Sequence, residues 1–337
     1  MIRYNLFNDD IQVAAFSVYN SVITSYIPQK PELLPMQIRQ ASADGFSLWL
    51  RERAIDLNSV QHRNLMNELI GSRDKTTIAL KTHMFSISDT FTCFEEREFT
   101  PRLQLCQPED QNTVSDYILV SSDTSLRKLR TSTPNASTDG SFTKTWKFED
   151  GAWWLYKLQS GAATEAEVEI SRALRKIGWD AAEYDYVGRY RKRVRTRNFL
   201  RPHEFFEPYA SFRFQFDNPS DDDDVIYRNI TSLGPVFKQA WKRILLTDAL
   251  FVNTDRHMRN FGVIRSSVSG EVLRLAPNFD NNQAYLANPS GTYSEAMLRM
   301  YMEQADGDDF ANLKVLSEEL KSHAYLKQAY EASLRYL

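Results

Sequence analysis

Between Val236 and Val252 apolar side chains recur about one helical turn apart, as Val236-Phe237, Ala240-Trp241, Ile244-Leu245 and Phe251-Val252, and the run stops at a polar octet. That octet is Asn253-Thr254-Asp255-Arg256-His257-Met258-Arg259-Asn260. The spacing predicts a buried helix that delivers the chain into a polar loop set in an otherwise apolar neighbourhood. A hairpin is expected to follow, with strands over 261–264 and 272–276 and a turn over 266–270, closing at Pro277-Asn278-Phe279-Asp280. A hairpin returns the chain to where it left, so Asp280 is expected beside the loop that carries Asp255 and Asn260.

These three side chains suit phosphoryl transfer. Transfer from ATP needs a carboxylate to orient the attacking hydroxyl, oxygen ligands for magnesium and a cation on the phosphates, because positioning and charge stabilisation supply most of the catalysis. Asp255 and Asn260 lie five residues apart, the separation of the base and the metal-binding asparagine in a protein-kinase catalytic loop. Asp255 is thus the candidate base, and Asn260 and Asp280 are the candidate magnesium ligands.

The cation is sought upstream. Residues 142–148 and 153–158 flank Glu149-Asp150-Gly151 and read as a hairpin, since Asp-Gly supplies the turn and aromatic residues stand on either side. The second strand, Trp153-Trp154-Leu155-Tyr156, ends in Lys157, the candidate for the ATP phosphates. A helix over 164–176 is expected next: Thr164 caps it, Glu165 and Glu167 suit its positive end, and Gly178 stops it. Glu167 lies deeper in that helix than its competitor Glu165 and is the favoured ion-pair partner of Lys157. The segment Ser137-Thr138-Asp139-Gly140-Ser141-Phe142-Thr143-Lys144 stands where kinases place a phosphate-covering turn. Ser137, Asp139, Gly140 and Ser141 are therefore candidates for nucleotide contact.

The run Asp255-Arg256-His257-Met258-Arg259-Asn260-Phe261-Gly262, followed by Leu275-Ala276-Pro277-Asn278-Phe279-Asp280, resembles the HipA-like serine/threonine kinases of bacteria, including their smaller toxin and effector relatives. Ser137 to Lys147 with Leu155-Tyr156-Lys157, and the stretch from Glu167 to Gly178, resemble that family's phosphate loop, lysine strand and glutamate helix. Asn281-Asn282 stand where relatives more often carry apolar residues. The resemblance implies an α+β, two-lobed protein-kinase-like fold. Its parts are an N-terminal mixed α/β subdomain over 1–115, a kinase N-lobe with an antiparallel sheet and the glutamate helix over 116–200, and a mostly helical C-lobe with the catalytic loop over 201–337. It also implies ATP and Mg2+ as cofactors, a protein substrate, and an antitoxin or a host protein as partner. Members commonly phosphorylate a serine in their own phosphate loop; Ser137 is the positional match and Ser141 its rival.

A net charge of −3 and a pI near 6.0 give no global pull toward nucleic acid or an anionic membrane. Nucleic acid is therefore not an expected partner. The basic run over 189–197 alternates as an exposed strand would, with a docking role for protein or for nucleic-acid phosphates as its alternatives. No stretch approaches the ~20 apolar residues of a membrane span, and acids enter the chain at Asp9 and Asp10 before any long apolar core, so a soluble, cytoplasmic protein is expected. Cys93 and Cys106 lack metal-ligand spacing and read as structural. Asp221 to Asp224 reads as a solvated loop. Ser59 is expected to cap a helix that carries Val60, Leu65, Leu69 and Ile70 and stops at Gly71. His257 with Asp255 and Asp280 is an alternative zinc set. A lipid or small-molecule acceptor on the same fold, or a pseudokinase acting as an interaction module, are the alternative functions.

Overall fold

The computed structural model describes residues 1–55, 57, 60–105, 111–120, 143–188, 193–284, 309, 311–312 and 314–316. The chain divides into two compact units. Met1–Leu158, Leu200–Glu207 and Ile264–Leu273 make the first; Gln159–Phe199, Pro208–Val263 and Arg274–Leu337 make the second.

In the first unit four antiparallel strands lie in the order Val22–Pro28, Ile11–Tyr19, Ile2–Asn8, Phe91–Glu95. Successive side chains of a strand point to opposite faces, and Ile2–Asn8 uses both. Leu6 joins a core with Val13, Phe16, Phe46 and Leu50, whereas Phe7 joins a second cluster with Phe85, Phe94 and Trp146. The Ala43–Glu52 helix begins where Ser42 Oγ accepts from the Gly45 N–H at 3.2 Å, and it buries Phe46, Trp49 and Leu50 at helical spacing. Phe46 stacks on Tyr26 with centroids 4.1 Å apart; burying such a ring stabilises by roughly 1.5–3 kcal/mol. The Val60–Leu69 helix is followed by Gly71 at φ 69°, as its stop signal requires, while Ser59 lies outside the described residues. Cys93 is buried, and burial pushes its thiol up to about 12, so it carries no thiolate chemistry. Cys106 lies outside the described residues.

Thr143–Glu149 and Ala152–Leu158 form the expected hairpin. Asp150 at φ 52° and Gly151 at φ 74° give the twist that matches two antiparallel strands. The register sets Lys144 directly opposite Lys157. The segment ahead of it, with Ser137, Asp139, Gly140 and Ser141, lies outside the described residues.

The second unit begins with the Gly161–Lys176 helix. Its cap is Ser160, whose Oγ accepts from the Ala163 N–H at 3.1 Å, and not Thr164, which is a buried interior residue. Both residue types can cap, but the alanines between them favour helix and carry its start back to the serine. Glu167 consequently belongs to the second turn, on the buried face with Ala163, Ala166, Ile170 and Leu174. Gly178 at φ 76° follows the helix end. The helix packs on the Tyr184–Val187 strand, which pairs antiparallel with Arg193–Arg197. Arg195 lies 3.7 Å from Asp185 on that neighbour, and Tyr184, Val194 and Val168 share a small core. Residues 189–192 lie outside the described residues.

The acidic run is exposed throughout, as expected of a solvated loop, but only Asp221 and Asp222 lie outside helix. Asp222 caps the Asp223–Ser232 helix by accepting from the Asp224 and Val225 N–H groups, and Asp223 and Asp224 occupy its first turn. Consecutive carboxylates repel in a free loop but are stabilised where a helix presents its unpaired N–H groups and positive end. After Gly234, Pro235 opens the Pro235–Phe251 helix, which buries Leu246, Ala249 and Leu250 against Ile170, Leu174 and Trp179. The expected hairpin beyond it has strands Gly262–Ser266 and Val272–Leu275. No helix among the described residues is long and apolar enough to cross a membrane.

Candidate active site

The Pro235–Phe251 helix ends at Val252, held in the left-handed region at φ 53°, ψ 46°. A β-branched residue there costs about 1–2 kcal/mol, and strain of this kind collects where a function over-determines the backbone. The turn throws Asn253 to Asn260 into a tight loop. His257 N donates to Asp255 O at 2.9 Å, Asn260 N donates to His257 O at 2.8 Å, and Asn260 Nδ2 donates to Asp255 O at 3.0 Å. That last bond commits the amide nitrogen of Asn260 inward and leaves its Oδ1 as the end that can serve a cation.

Arg256 organises everything around the loop. Its Nε donates to Asp248 Oδ2 at 2.9 Å and its Nη2 to Asp248 Oδ1 at 2.8 Å and Asn281 Oδ1 at 2.8 Å. Its Nη1 donates to the carbonyls of Asn260, at 3.0 Å, and Phe279, at 2.6 Å. One nitrogen therefore ties the residue that carries one candidate ligand to the residue before the other. Asp280 follows at φ 60°, its N–H donating to the Tyr184 hydroxyl at 3.1 Å. Burial works against the Arg256 charge, but Asp248 and then Asp280 outweigh it, and the arginine is held above its ordinary pKa. Because an arginine can only donate, it also fixes the amides around it. Asn253 Nδ2 faces Asp248 Oδ1 at 3.0 Å, so its Oδ1 accepts from the Asp255 N–H at 3.4 Å.

Asp255, Asn260 and Asp280 are thus brought into one neighbourhood, with Asp255 and Asp280 half-exposed and Asn260 buried. Glu167 is fully buried and its Oε2 accepts from Gln159 Nε2 at 2.7 Å, whereas Glu165 is half-exposed. Lys157 lies in the first unit, on Ala152–Leu158, with 4% of its surface exposed.

An amide oxygen and a carboxylate are the hard donors that magnesium takes, and magnesium needs only one or two protein ligands when phosphates complete its shell. Zinc does not fit. Among the described residues no group of three or more His, Cys, Asp and Glu is placed to hold a metal ion. His257 is exposed, and its Nδ1 accepts from the Arg259 N–H at 3.2 Å, a scaffold bond within the loop. The sequence reading missed Asp248, Asn253 and Asn281. An acid inside an apolar helix, followed by an arginine in the next loop, was the available signal for Asp248.

No protein-family model matches the sequence, and no curated protein matches it. Solved structures do. HipA of the Shewanella oneidensis MR-1 toxin–antitoxin system, solved with HipB and operator DNA, aligns over 99% of this chain and 91% of its own, with a TM-score of 0.58 at 13% identity. The Helicobacter pylori proinflammatory kinase CtkA aligns over 57% of this chain and 94% of its own, with a TM-score of 0.43 at 14% identity. The full-length alignment with HipA, together with the mixed helices and antiparallel sheets of both units, shows that this chain has a HipA-like fold.

Proposed function

We propose that the chain is an ATP- and magnesium-dependent serine/threonine protein kinase of HipA type. The observation that carries the proposal is the Arg256 bridge, which joins the carbonyls of Asn260 and Phe279 and so couples the Asp255–Asn260 loop to Asp280. In this reading Asp255 orients the substrate hydroxyl and accepts its proton, and Asn260 Oδ1 and the Asp280 carboxylate hold magnesium, which neutralises charge on the phosphates. Lys157 contacts those phosphates with Glu167 as its partner, and the cross-strand lysine Lys144 adds to the same anion-attracting face.

Self-phosphorylation at Ser137 or Ser141 extends the proposal. So does service as the toxin of a toxin–antitoxin pair, supported by the HipA likeness, since that HipA is solved with HipB. The test is transfer from γ-labelled ATP in cell lysate by wild type and Asp255→Asn, followed by identification of the labelled proteins. Labelled serine or threonine in a small set of proteins, absent with the variant, is the expected result. Labelled lipid or metabolite alone would transfer the reading to a different acceptor, and no difference between the two proteins would remove it.

A further inference from the structure

Asp280 stands at φ 60°, a region uncommon for residues other than glycine. Such a conformation persists where the surroundings over-determine it, and here both ends of the preceding peptide group are held. The Phe279 carbonyl accepts from Arg256 Nη1 at 2.6 Å, and the Asp280 N–H of that same group donates to the Tyr184 hydroxyl at 3.1 Å. A peptide group is planar, so one bond at its carbonyl and another at its N–H fix the direction of the plane. Relaxing Asp280 to a negative φ by turning that plane would break both.

Tyr184 is itself well anchored. It opens the Tyr184–Val187 strand and is buried in the small core with Val168, Ala182 and Val194, against which Phe279 packs. The residues just before it are tied to the same segment. The Asn278 N–H donates to Asp180 O at 3.0 Å, and the Ala182 N–H donates to Asn278 O at 2.9 Å. Ser171, on the Gly161–Lys176 helix that carries Glu167, donates through Oγ to Ala182 O at 2.6 Å. These main-chain bonds hold Asn278, and the Tyr184 hydroxyl carries the hold two residues further, to Asp280. A phenylalanine ring would fill the same place in the core. The oxygen is the part of the side chain that bears on the peptide group.

We infer that Tyr184 is a positioning residue for the metal-binding carboxylate of Asp280, an inference that rests on the magnesium role proposed for Asp280. With Arg256 at the other end, its hydroxyl keeps the Phe279–Asp280 peptide group in the one orientation from which the Asp280 side chain leaves the backbone at positive φ. Without the hydroxyl every proposed metal ligand is still present, but the peptide group is held at one end only. Part of the binding energy then goes into ordering it, and metal affinity falls with the ligand set unchanged.

The test titrates the full chain, with the non-hydrolysable analogue adenylyl imidodiphosphate, with Mn2+, which takes the same oxygen ligands as Mg2+. Water-proton relaxation reads the bound metal without turnover. Tyr184→Phe should weaken Mn2+ binding about three- to tenfold, the worth of one neutral hydrogen bond, and Asp280→Asn should weaken it further. Val194→Ala loosens the same small core but keeps the hydroxyl; it should lower Tm and leave Mn2+ affinity at the wild-type value. In self-labelling, the Mg2+ concentration for half-maximal rate should rise in Tyr184→Phe while the rate at saturating Mg2+ changes little. Equal Mn2+ affinity in wild type and Tyr184→Phe would overturn the inference, whether or not the chain transfers phosphate. The expected Mn2+ pattern without any labelling would support the inference and remove phosphoryl transfer instead. A loss of affinity with Val194→Ala as large as with Tyr184→Phe would assign the effect to packing and overturn the inference, as would absence of Mn2+ binding by the wild type.

Discussion

The guanidinium of Arg256 meets the carboxylate of Asp248 through two parallel bonds, Nε to Oδ2 at 2.9 Å and Nη2 to Oδ1 at 2.8 Å. Asp248 stands in the last turn of its helix, where the macrodipole disfavours a negative charge, and it is only 3% exposed. The arginine is what makes that burial tolerable. Arg256→Met strands the carboxylate and should lower stability by about 3–5 kcal/mol, read by urea unfolding. Arg256→Met with Asp248→Leu should recover most of the loss, yet phosphoryl transfer should stay lost because the carbonyls of Asn260 and Phe279 are no longer bridged. Recovery of transfer in the double variant would show that the bridge is dispensable.

Lys144 and Lys157 face each other across the first hairpin. Their places opposite each other make Lys144→Met a test of the hairpin's part in nucleotide binding. The same substitution should raise the KM for ATP several-fold. Lys157→Met should reduce kcat as well. Unchanged ATP kinetics in both variants would remove the hairpin from nucleotide binding.

Gly270 closes the turn between Gly262–Ser266 and Val272–Leu275 at φ 74°, and a Cβ there would lie 2.1 Å from the carbonyl oxygen of Glu32. The nearby Arg265 is fully buried, donating to Glu207 Oε2 at 2.6 Å and to the carbonyls of Glu32 and Leu34 at 2.8 and 2.9 Å. Gly270→Ala combines a left-handed alanine, roughly 1–2 kcal/mol, with an overpacked contact, roughly 1–3 kcal/mol. The variant should unfold at distinctly lower urea concentration than wild type, and an unchanged midpoint would contradict the turn geometry.

His83 stacks on Phe94 with centroids 4.7 Å apart, and its Nδ1–H donates to Cys93 O at 3.1 Å. Burial lowers its pKa from the ordinary histidine value, more than the Cys93 bond and Glu98 raise it. The unfolded chain therefore binds a proton, near pH 6.5, that the folded chain resists, and stability falls as pH drops below that point until the lowered folded value is reached. His83→Asn tolerates the residue's positive φ of 54° and cannot titrate. Its unfolding free energy should change less between pH 7.5 and pH 5 than that of wild type, as measured by urea titration at each pH.

Where a residue type states its own geometry, the sequence was legible. Asp150-Gly151 announced its turn, Gly71 and Gly178 their helix ends, and the spacing of Asp255, Asn260 and Asp280 the makings of the loop. Two features were ambiguous. Ser160 and Thr164 are both competent caps, and the acids at 221–224 suit a loop and a helix start equally until Asp222 is seen to accept from two backbone donors. The network under the loop was least legible, because it depends on chain return. Asp248 bonds to both Asn253 and Arg256 within eight residues, but Asn281 and the Phe279 carbonyl join them only when the hairpin brings the chain back to Arg256.

The measurement closest to the central claim is the initial rate at which the purified chain moves γ-labelled phosphate from Mg-ATP onto itself. Wild type is compared with Asp255→Asn and Asp280→Asn, each with unchanged circular dichroism, and mass spectrometry locates the phosphate. The account predicts labelling of Ser137 or Ser141 by wild type, a fall of about 10²-fold or more in both variants, and loss of labelling when magnesium is chelated. Labelling that both variants retain at the wild-type rate would contradict it.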